Sequence, residues 1–347
     1  MEIIVPCAGR SSRFPNMRPK YLLSDYRRRL MVAGALEGVL GRYPITITIL
    51  QEHVTKYDAL TILQETFGDQ VKIVVLEEPT ASPAQTVVET LSRIGLTSGS
   101  FLIRDCDSFF DMQISEGNKV YTSSLSANPR MNNVAALGFV ISNDQRVILK
   151  LVEKRVVSDS FCAGAYQFAE VQDFLQAYAA LQDQTGELYI SNVIDFMIAN
   201  GKVFSESLVE NYVNVGTAPA WHAYNNRPTI FCDIDGTIVT NQSAYGATRY
   251  DKGTYKPLQA NIDALKKFLG TGSIIIFTTA RSKAYFQATR EMLDALGFAD
   301  CQLIMELNHS KRILINDHAP SNPYPASVAI NLVRDTDRLE DYLHSFL

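Results

Sequence analysis

The chain has 347 residues, 46% of them hydrophobic and 20% charged, with a formal net charge of -5. That length exceeds what one hydrophobic core usually serves, so two domains are expected. The acidic balance supplies no global basic field for nucleic acid or an anionic membrane, and no apolar run approaches the roughly 20 residues of a membrane span.

The five cysteines, Cys7, Cys106, Cys162, Cys232 and Cys301, are scattered through apolar stretches without C-x-x-C spacing. Such a set reads as reduced core thiols, not as a disulfide frame or zinc site. The opening MEIIVPCAGR is not patterned as a signal peptide. A cytoplasmic protein is expected.

Short apolar runs alternate with helical patterns from the first residue. EIIVP, ITITIL, VKIVVL and SFLIRD are strand-like, and PAQTVVETLSRI carries Val87, Val88, Leu91 and Ile94 at helical spacing. The alternation predicts an α/β domain wound on a largely parallel sheet. NVAALGFVIS and RVILKLVEK follow with no helix between them, which predicts added antiparallel strands. EVQDFLQAYAAL and YISNVIDFMIANG read as helices, the second stopped by Gly201. After the first strand, a turn built of small residues (Ala8, Gly9, Ser11, Ser12) can let backbone approach phosphates closely. Arg13 and Lys20 can neutralise a triphosphate there.

A polar hinge at Asn225–Pro228 precedes a second β-α-β-α-β pattern, which places the boundary between domains of residues 1–226 and 227–347. Its elements are TIFCD, LQANIDALKKFLG, SIIIFTT, AYFQATREMLDALG and RILIND. Ligands of parallel α/β sheets bind beyond the carboxyl ends of the strands. Asp233 and Asp235, Thr278 and Thr279, and Asp317 are all expected at such ends, with Lys311 just before the third strand. Clustered acids require a neutralising cation, and oxygen donors of this kind suit Mg²⁺. The chemistry expected is phosphoryl transfer through an attacking aspartate.

Two resemblances organise these residues. Residues 1–224 resemble the sugar-phosphate nucleotidyltransferases, whose pattern opens A-G-x-G-x-R followed by P-K. RDCDSFF, LVEKR, CAGAYQF, GELYISNVID and YVNVGTAPAW then match later family segments in order. The resemblance implies a nucleotidyltransferase fold and in-line attack of an acceptor phosphate on the α-phosphorus of a nucleoside triphosphate, expelling pyrophosphate. Arg13 and Lys20 would clamp the triphosphate, Asp107 would hold Mg²⁺, and Lys154 would bind the acceptor phosphate. Glu153, Gly164 and Glu187 would face the acceptor, and Ala81, Ser82 and Gln85 the nucleobase. Ser11 stands where the pattern has glycine. Asn214 stands where most members carry a second metal-binding Asp, and its amide oxygen would bring no charge.

The second domain resembles the haloacid dehalogenase superfamily: DIDGT matches its D-x-D-G-T signature, FTTAR its strand-end Thr, and Lys311 and ILIND its later motifs. By that resemblance Asp233 is the nucleophile and a Mg²⁺ ligand. Asp235 is the general acid/base and ligates through its carbonyl, Thr279 or Thr278 and Lys311 hold phosphate, and Asp317 ligates metal. The short interval between Asp233 and Thr278 leaves room for a minimal cap only.

Taken together the sequence predicts two Rossmann-like domains in a bifunctional, Mg²⁺-dependent enzyme. It would transfer a nucleotidyl group, from CTP by preference, to a sugar- or polyol-phosphate, and hydrolyse a phosphomonoester. Activated precursors of capsule or other surface polysaccharide are the expected products, and a homodimer is compatible with the family. The alternative is a phosphatase regulated by a degenerate nucleotide- or sugar-phosphate-binding domain.

Overall fold

The structure is a computed structural model that describes residues 1–9, 11, 13–129, 131, 134–182, 188–241, 255–317 and 327–343. The chain divides into two compact units, Met1–Ala223 and Tyr224–Leu347. Among the described residues no helix is long and apolar enough to cross a membrane.

In the first unit, β1 (Glu2–Pro6), β2 (Ile45–Leu50), β3 (Lys72–Leu76) and β4 (Phe101–Arg104) run parallel. β5 (Ser108–Asp111), β6 (Asn118–Ser124), β7 (Gly138–Ser142), β8 (Ile148–Glu153), β9 (Ser160–Phe168), β10 (Phe204–Leu208) and β11 (Glu210–Asn214) follow. The main path of the sheet is β10-β6-β9-β4-β1-β2-β3, with β9 inserted antiparallel between β4 and β6. The β7–β8 hairpin joins through β7 to β9, while β5 and β11 form a separate antiparallel pair. The antiparallel strands expected in the middle of the chain are therefore present, within a mixed sheet.

Both faces of this sheet are covered. Along β1, Ile4 packs with Val87, Leu91 and Phe174 on one side, and Ile3 and Val5 with Val32, Leu36 and Leu63 on the other. The Ile/Thr alternation of β2 would suit a strand with one wet face, yet all six positions are buried. Hydrogen bonds make this tolerable: Thr46 Oγ1 donates to Glu2 Oε1 at 2.7 Å, and the Thr48 and Thr90 hydroxyls pair at 2.6 Å. Helix Pro83–Ile94 has its signals where they are needed. Ser82 Oγ accepts from Gln85 N, Pro83 opens the first turn, and Gly95 closes the helix at φ 71°.

The second unit contains β12 (Thr229–Asp233), β13 (Ile274–Thr278) and β14 (Gln302–Ile304), parallel and in that order. Helices Gln259–Gly270 and Phe286–Ala295 contribute Ile262, Leu265, Phe268 and Leu293 to a core with Ile234, Ile275 and Phe277. The buried Asn261 amide donates to the carbonyls of Thr237 and Thr336, each at 2.8 Å, tying the turn after Asp235 to the C-terminal segment. One expectation fails. RILIND lies in no strand, and Ile313 and Ile315 are 82% and 88% exposed. The third strand is the short QLI stretch instead. An apolar run fixes strand propensity locally, but a ladder needs a neighbouring edge to take its backbone groups.

Candidate functional site

Because β1 and β4 are parallel neighbours, the segments that follow them, Cys7–Gly9 and Asp105–Asp107, emerge beyond the carboxyl ends of the strands. Lys20 opens the short helical turn Lys20–Leu22, whose Tyr21 and Leu22 are sunk in the core and fix its position. Lys20 Nζ donates to Asp107 Oδ2 at 2.6 Å, and Arg13 Nη2 stands 3.8 Å from the same oxygen. Ser11 adopts φ 50°, the left-handed conformation that a glycine would take at lower cost, and its Oγ accepts from Lys20 N at 3.2 Å. Ala8 is buried, while Gly9 is exposed with nothing near the place of a Cβ, so its backbone is open to approach.

The charges here are strongly coupled. Burial works against ionised Asp107, but Lys20, then Arg13 and Arg104, outweigh it and hold the carboxyl below its usual range. Burial likewise opposes the Lys20 ammonium, and Asp107 more than offsets that and raises its pKa. Burial, and after it the charge of Asp107, push Asp105 up to about 6. Arg104, 1% exposed, is lowered by burial to about 10 and stays charged at neutral pH. Its guanidinium donates to the Asp105 carbonyl at 2.8 Å, to Ser108 Oγ and carbonyl at 3.0 and 2.7 Å, and stacks 3.8 Å over Phe110. The reading of SFLIRD as a strand gave no hint of that role.

Across β5 and β11, Asn214 pairs with Ser108, and its Oδ1 accepts from Gly216 N at 2.9 Å. A Cβ at Gly216 would lie 2.8 Å from Asp107 Oδ2 and 3.3 Å from Asn214 Oδ1. The glycine thus lets an ionised carboxylate oxygen and an amide oxygen pack close against the same stretch of backbone, a hard-oxygen donor pair of the kind that suits Mg²⁺. Gly216→Ala is therefore expected to displace Asp107 and to weaken any Mg²⁺ binding there at least about fivefold, measured by metal titration.

The residues assigned to the acceptor gather around β9, where Cys162 and Tyr166 feel the charges of both Glu153 and Asp105. Glu153 Oε1 accepts from Ser191 Oγ, and Lys154 Nζ donates to Tyr189 Oη at 2.6 Å and lies over its ring. Gly164 takes φ 95° on β9, where a Cβ would lie 3.0 Å from both Asp105 Oδ2 and Ser108 Oγ. Glu187 and Ser12 lie outside the described residues. Ser82 and Gln85, assigned to the base, spend hydrogen bonds on the helix start: Ser82 Oγ on Gln85 N, and Gln85 Oε1 on Ala81 N at 2.7 Å. Tyr189 was missed because its tie to Lys154 is set by tertiary register, which no local motif announces.

In the second unit Asp233 and Thr278 sit opposite each other at the ends of β12 and β13. Asp235 is gripped by Arg281, Nε to Oδ2 at 2.9 Å and Nη2 to Oδ1 at 2.6 Å, and the buried guanidinium also reaches Thr289. Arg281 lies within the FTTAR stretch, where local sequence signals no role for it. Thr279 Oγ1 accepts from Arg281 N at 3.1 Å, whereas Thr278 Oγ1 turns back to the Cys232 carbonyl at 3.5 Å. Burial and the adjacent Asp235 push Asp233 up. Arg312 Nη2, not Lys311, approaches Asp233, at 3.9 Å. Lys311 and Asp317 are exposed. Among the described residues no group of three His, Cys, Asp or Glu side chains is placed to hold a metal, so Asp317 does not complete a carboxylate set with Asp233 and Asp235.

No protein-family model and no curated protein matches the chain. Solved structures do. The nucleoside-diphosphate-sugar pyrophosphorylase of Vibrio cholerae superposes with a TM-score of 0.55 at 20% identity, over 63% of this chain and 98% of its own. The inositol-1-phosphate CTP transferase of T. maritima gives 0.50 at 16% identity, over 63% and 90%. A Bacillus anthracis protein described as a glucose-1-phosphate thymidylyltransferase gives 0.51 at 19% identity, over 64% and 92%. At these identities the likeness is one of fold.

Proposed function

We propose that the protein is a bifunctional enzyme whose first unit transfers a nucleotidyl group to a sugar- or polyol-phosphate and whose second hydrolyses a phosphomonoester. The observation that carries the reading is the Lys20–Asp107 pair at 2.6 Å, packed against Gly216 with Asn214 Oδ1 close by, at the carboxyl ends of parallel strands. That fold is shared with proteins named as nucleotidyltransferases. The CTP preference draws on the printed name of the T. maritima protein, which pairs CTP with a polyol phosphate.

In transfer, an acceptor phosphate oxygen attacks the α-phosphorus and the bond to pyrophosphate breaks, so the protein's task is positioning and charge neutralisation. Mg²⁺ bound by Asp107 and Asn214 would neutralise triphosphate charge. Lys20 and Arg13 stand at the same carboxylate and can turn to the phosphates, while the open backbone at Gly9 admits them. Lys154 serves the acceptor phosphate, with Glu153 at its hydroxyls. In hydrolysis, the Asp233 carboxylate attacks phosphorus and the alcohol leaves with a proton from Asp235. Asp235 then takes a proton from the water that opens the aspartyl-phosphate. Thr279 and a cation from the 311–312 segment serve the phosphate. Both steps suit the making of activated surface-polysaccharide precursors in the cytoplasm by a soluble enzyme, with a homodimer part of the same reading.

Asn214 favours a second reading, in which the first unit binds nucleotide or sugar phosphate without turnover and regulates the second. Pyrophosphate release by Asp233→Asn protein separates the two. With Mg²⁺, each nucleoside triphosphate and a panel of sugar and polyol phosphates, a signal dependent on both substrates is expected, CTP giving the largest. Silence across the panel with nucleotide still bound would sink the transferase and leave the regulatory reading.

A further inference from the structure

We propose that Asp105 is a specificity-determining residue of the acceptor site, its carboxylate accepting hydrogen bonds from a pair of hydroxyls on a polyhydroxylic phosphate. This rests on the nucleotidyltransferase reading and names its substrate class further.

The backbone of Asp105 is pinned from both sides. Its N–H donates to the Gly164 carbonyl at 2.8 Å, and its own carbonyl accepts from Arg104 Nη1 at 2.8 Å. Arg104 is itself immobilised by Ser108 and by the face of Phe110. The carboxylate borne on this rigid support has no hydrogen bond or ion pair among the described residues. Its cationic neighbours are engaged elsewhere: Arg104 with carbonyls and a hydroxyl, Lys20 with Asp107. Oδ2 lies beside the bare face of Gly164, 3.0 Å from where a Cβ would stand, and the residue is neither fully buried nor fully exposed.

A half-buried carboxylate without donors costs free energy, and native structures keep few such groups without a use. Here the group is preorganised, partly open to solvent, and two residues from the Lys20–Asp107 pair. A carboxylate can accept from two adjacent hydroxyls at once. It would repel an acceptor presenting its own carboxylate or a second phosphate at that point. The geometry therefore favours a neutral sugar or polyol carrying one phosphate, and disfavours acidic sugars.

The test is steady-state pyrophosphate release by wild-type, Asp105→Asn and Asp105→Ala proteins. The acceptors are glucose 1-phosphate, myo-inositol 1-phosphate and glycerol 3-phosphate, each beside its deoxy analogues and an acidic-sugar phosphate. Both variants should raise the acceptor KM about tenfold or more, as expected for a lost hydrogen bond to a charged group. The nucleotide KM should change far less than the acceptor KM. Decisively, one deoxy analogue should be penalised by the wild type and no longer penalised by the variants, an outcome that a merely structural role would not produce. If the wild type transfers and the variants retain both the acceptor KM and the deoxy penalty, the assignment of Asp105 is wrong and the transferase stands. If the wild type neither transfers nor binds any of these phosphates by calorimetry, the transferase reading fails and takes the assignment with it.

Discussion

Lys20→Met should lower kcat for pyrophosphate release by about 100- to 1000-fold without weakening Mg²⁺ activation. The size follows from losing one preorganised cation at developing phosphate charge. The undiminished metal response follows from where Lys20 stands. Its ammonium lies 2.6 Å from Asp107 Oδ2, the oxygen that also packs against Gly216, so it competes electrostatically with a divalent ion at that carboxylate. Removing it relieves a like-charge repulsion while sacrificing the proposed phosphate contact. Asp107→Asn should do the reverse, abolishing saturable Mg²⁺ activation. The stability effect has a definite sign with pH. Asp107 is held low in the folded chain, so its contribution is present above the unfolded carboxyl range and is lost as pH falls below about 4. In Lys20→Met the opposing burial is less well offset and Asp107 rises towards its unfolded value, which makes this acid-dependent loss of stability smaller. Urea midpoints from pH 3 to 7, with kinetics at pH 7.5, check both limbs. A rise in the Mg²⁺ requirement of Lys20→Met would show that Lys20 orients the metal site and does not compete at it.

What the sequence revealed and what it hid divide along the range of the interactions. β1, β2 and helix Pro83–Ile94 rest on local signals: apolar runs, a Ser cap, Pro at the first turn and a closing Gly. Lys20 and Asp107 are brought to one site only by the family resemblance of their segments, and their 2.6 Å contact is tertiary. Arg104 was not legible. An arginine after three apolar residues looks like the end of a strand, and only the antiparallel insertion of β9 brings the Gly164 carbonyl within its reach. Asp105 was hidden for the same reason, its surroundings being supplied by β9. Arg281 sat in plain view in FTTAR, yet its grip on Asp235 spans 46 positions. RILIND shows the opposite failure, a strong local signal whose ladder partner is missing among the described residues.

Asp233→Asn should reduce phosphomonoester hydrolysis at least about 1000-fold, since loss of an attacking group removes the covalent route altogether. Pyrophosphate release should be unchanged, because the residue belongs to the second unit and the residues proposed to hold the triphosphate to the first. The fold should tolerate the change: Asp233 is about half exposed, and its ion contact, Arg312, stands 3.9 Å away in an exposed segment. Arg281→Met gives the contrasting case. It would strip both hydrogen bonds from Asp235, a carboxylate only 22% exposed, and should cost about 2–3 kcal/mol of stability besides activity. The two variants therefore separate chemistry from support at adjacent carboxylates. Hydrolysis of a generic aryl phosphate, read beside the urea midpoint, should show Asp233→Asn inactive at full stability and Arg281→Met less stable with residual turnover. Substantial hydrolysis by Asp233→Asn would remove the aspartyl-phosphate mechanism, since an amide cannot attack phosphorus in its place.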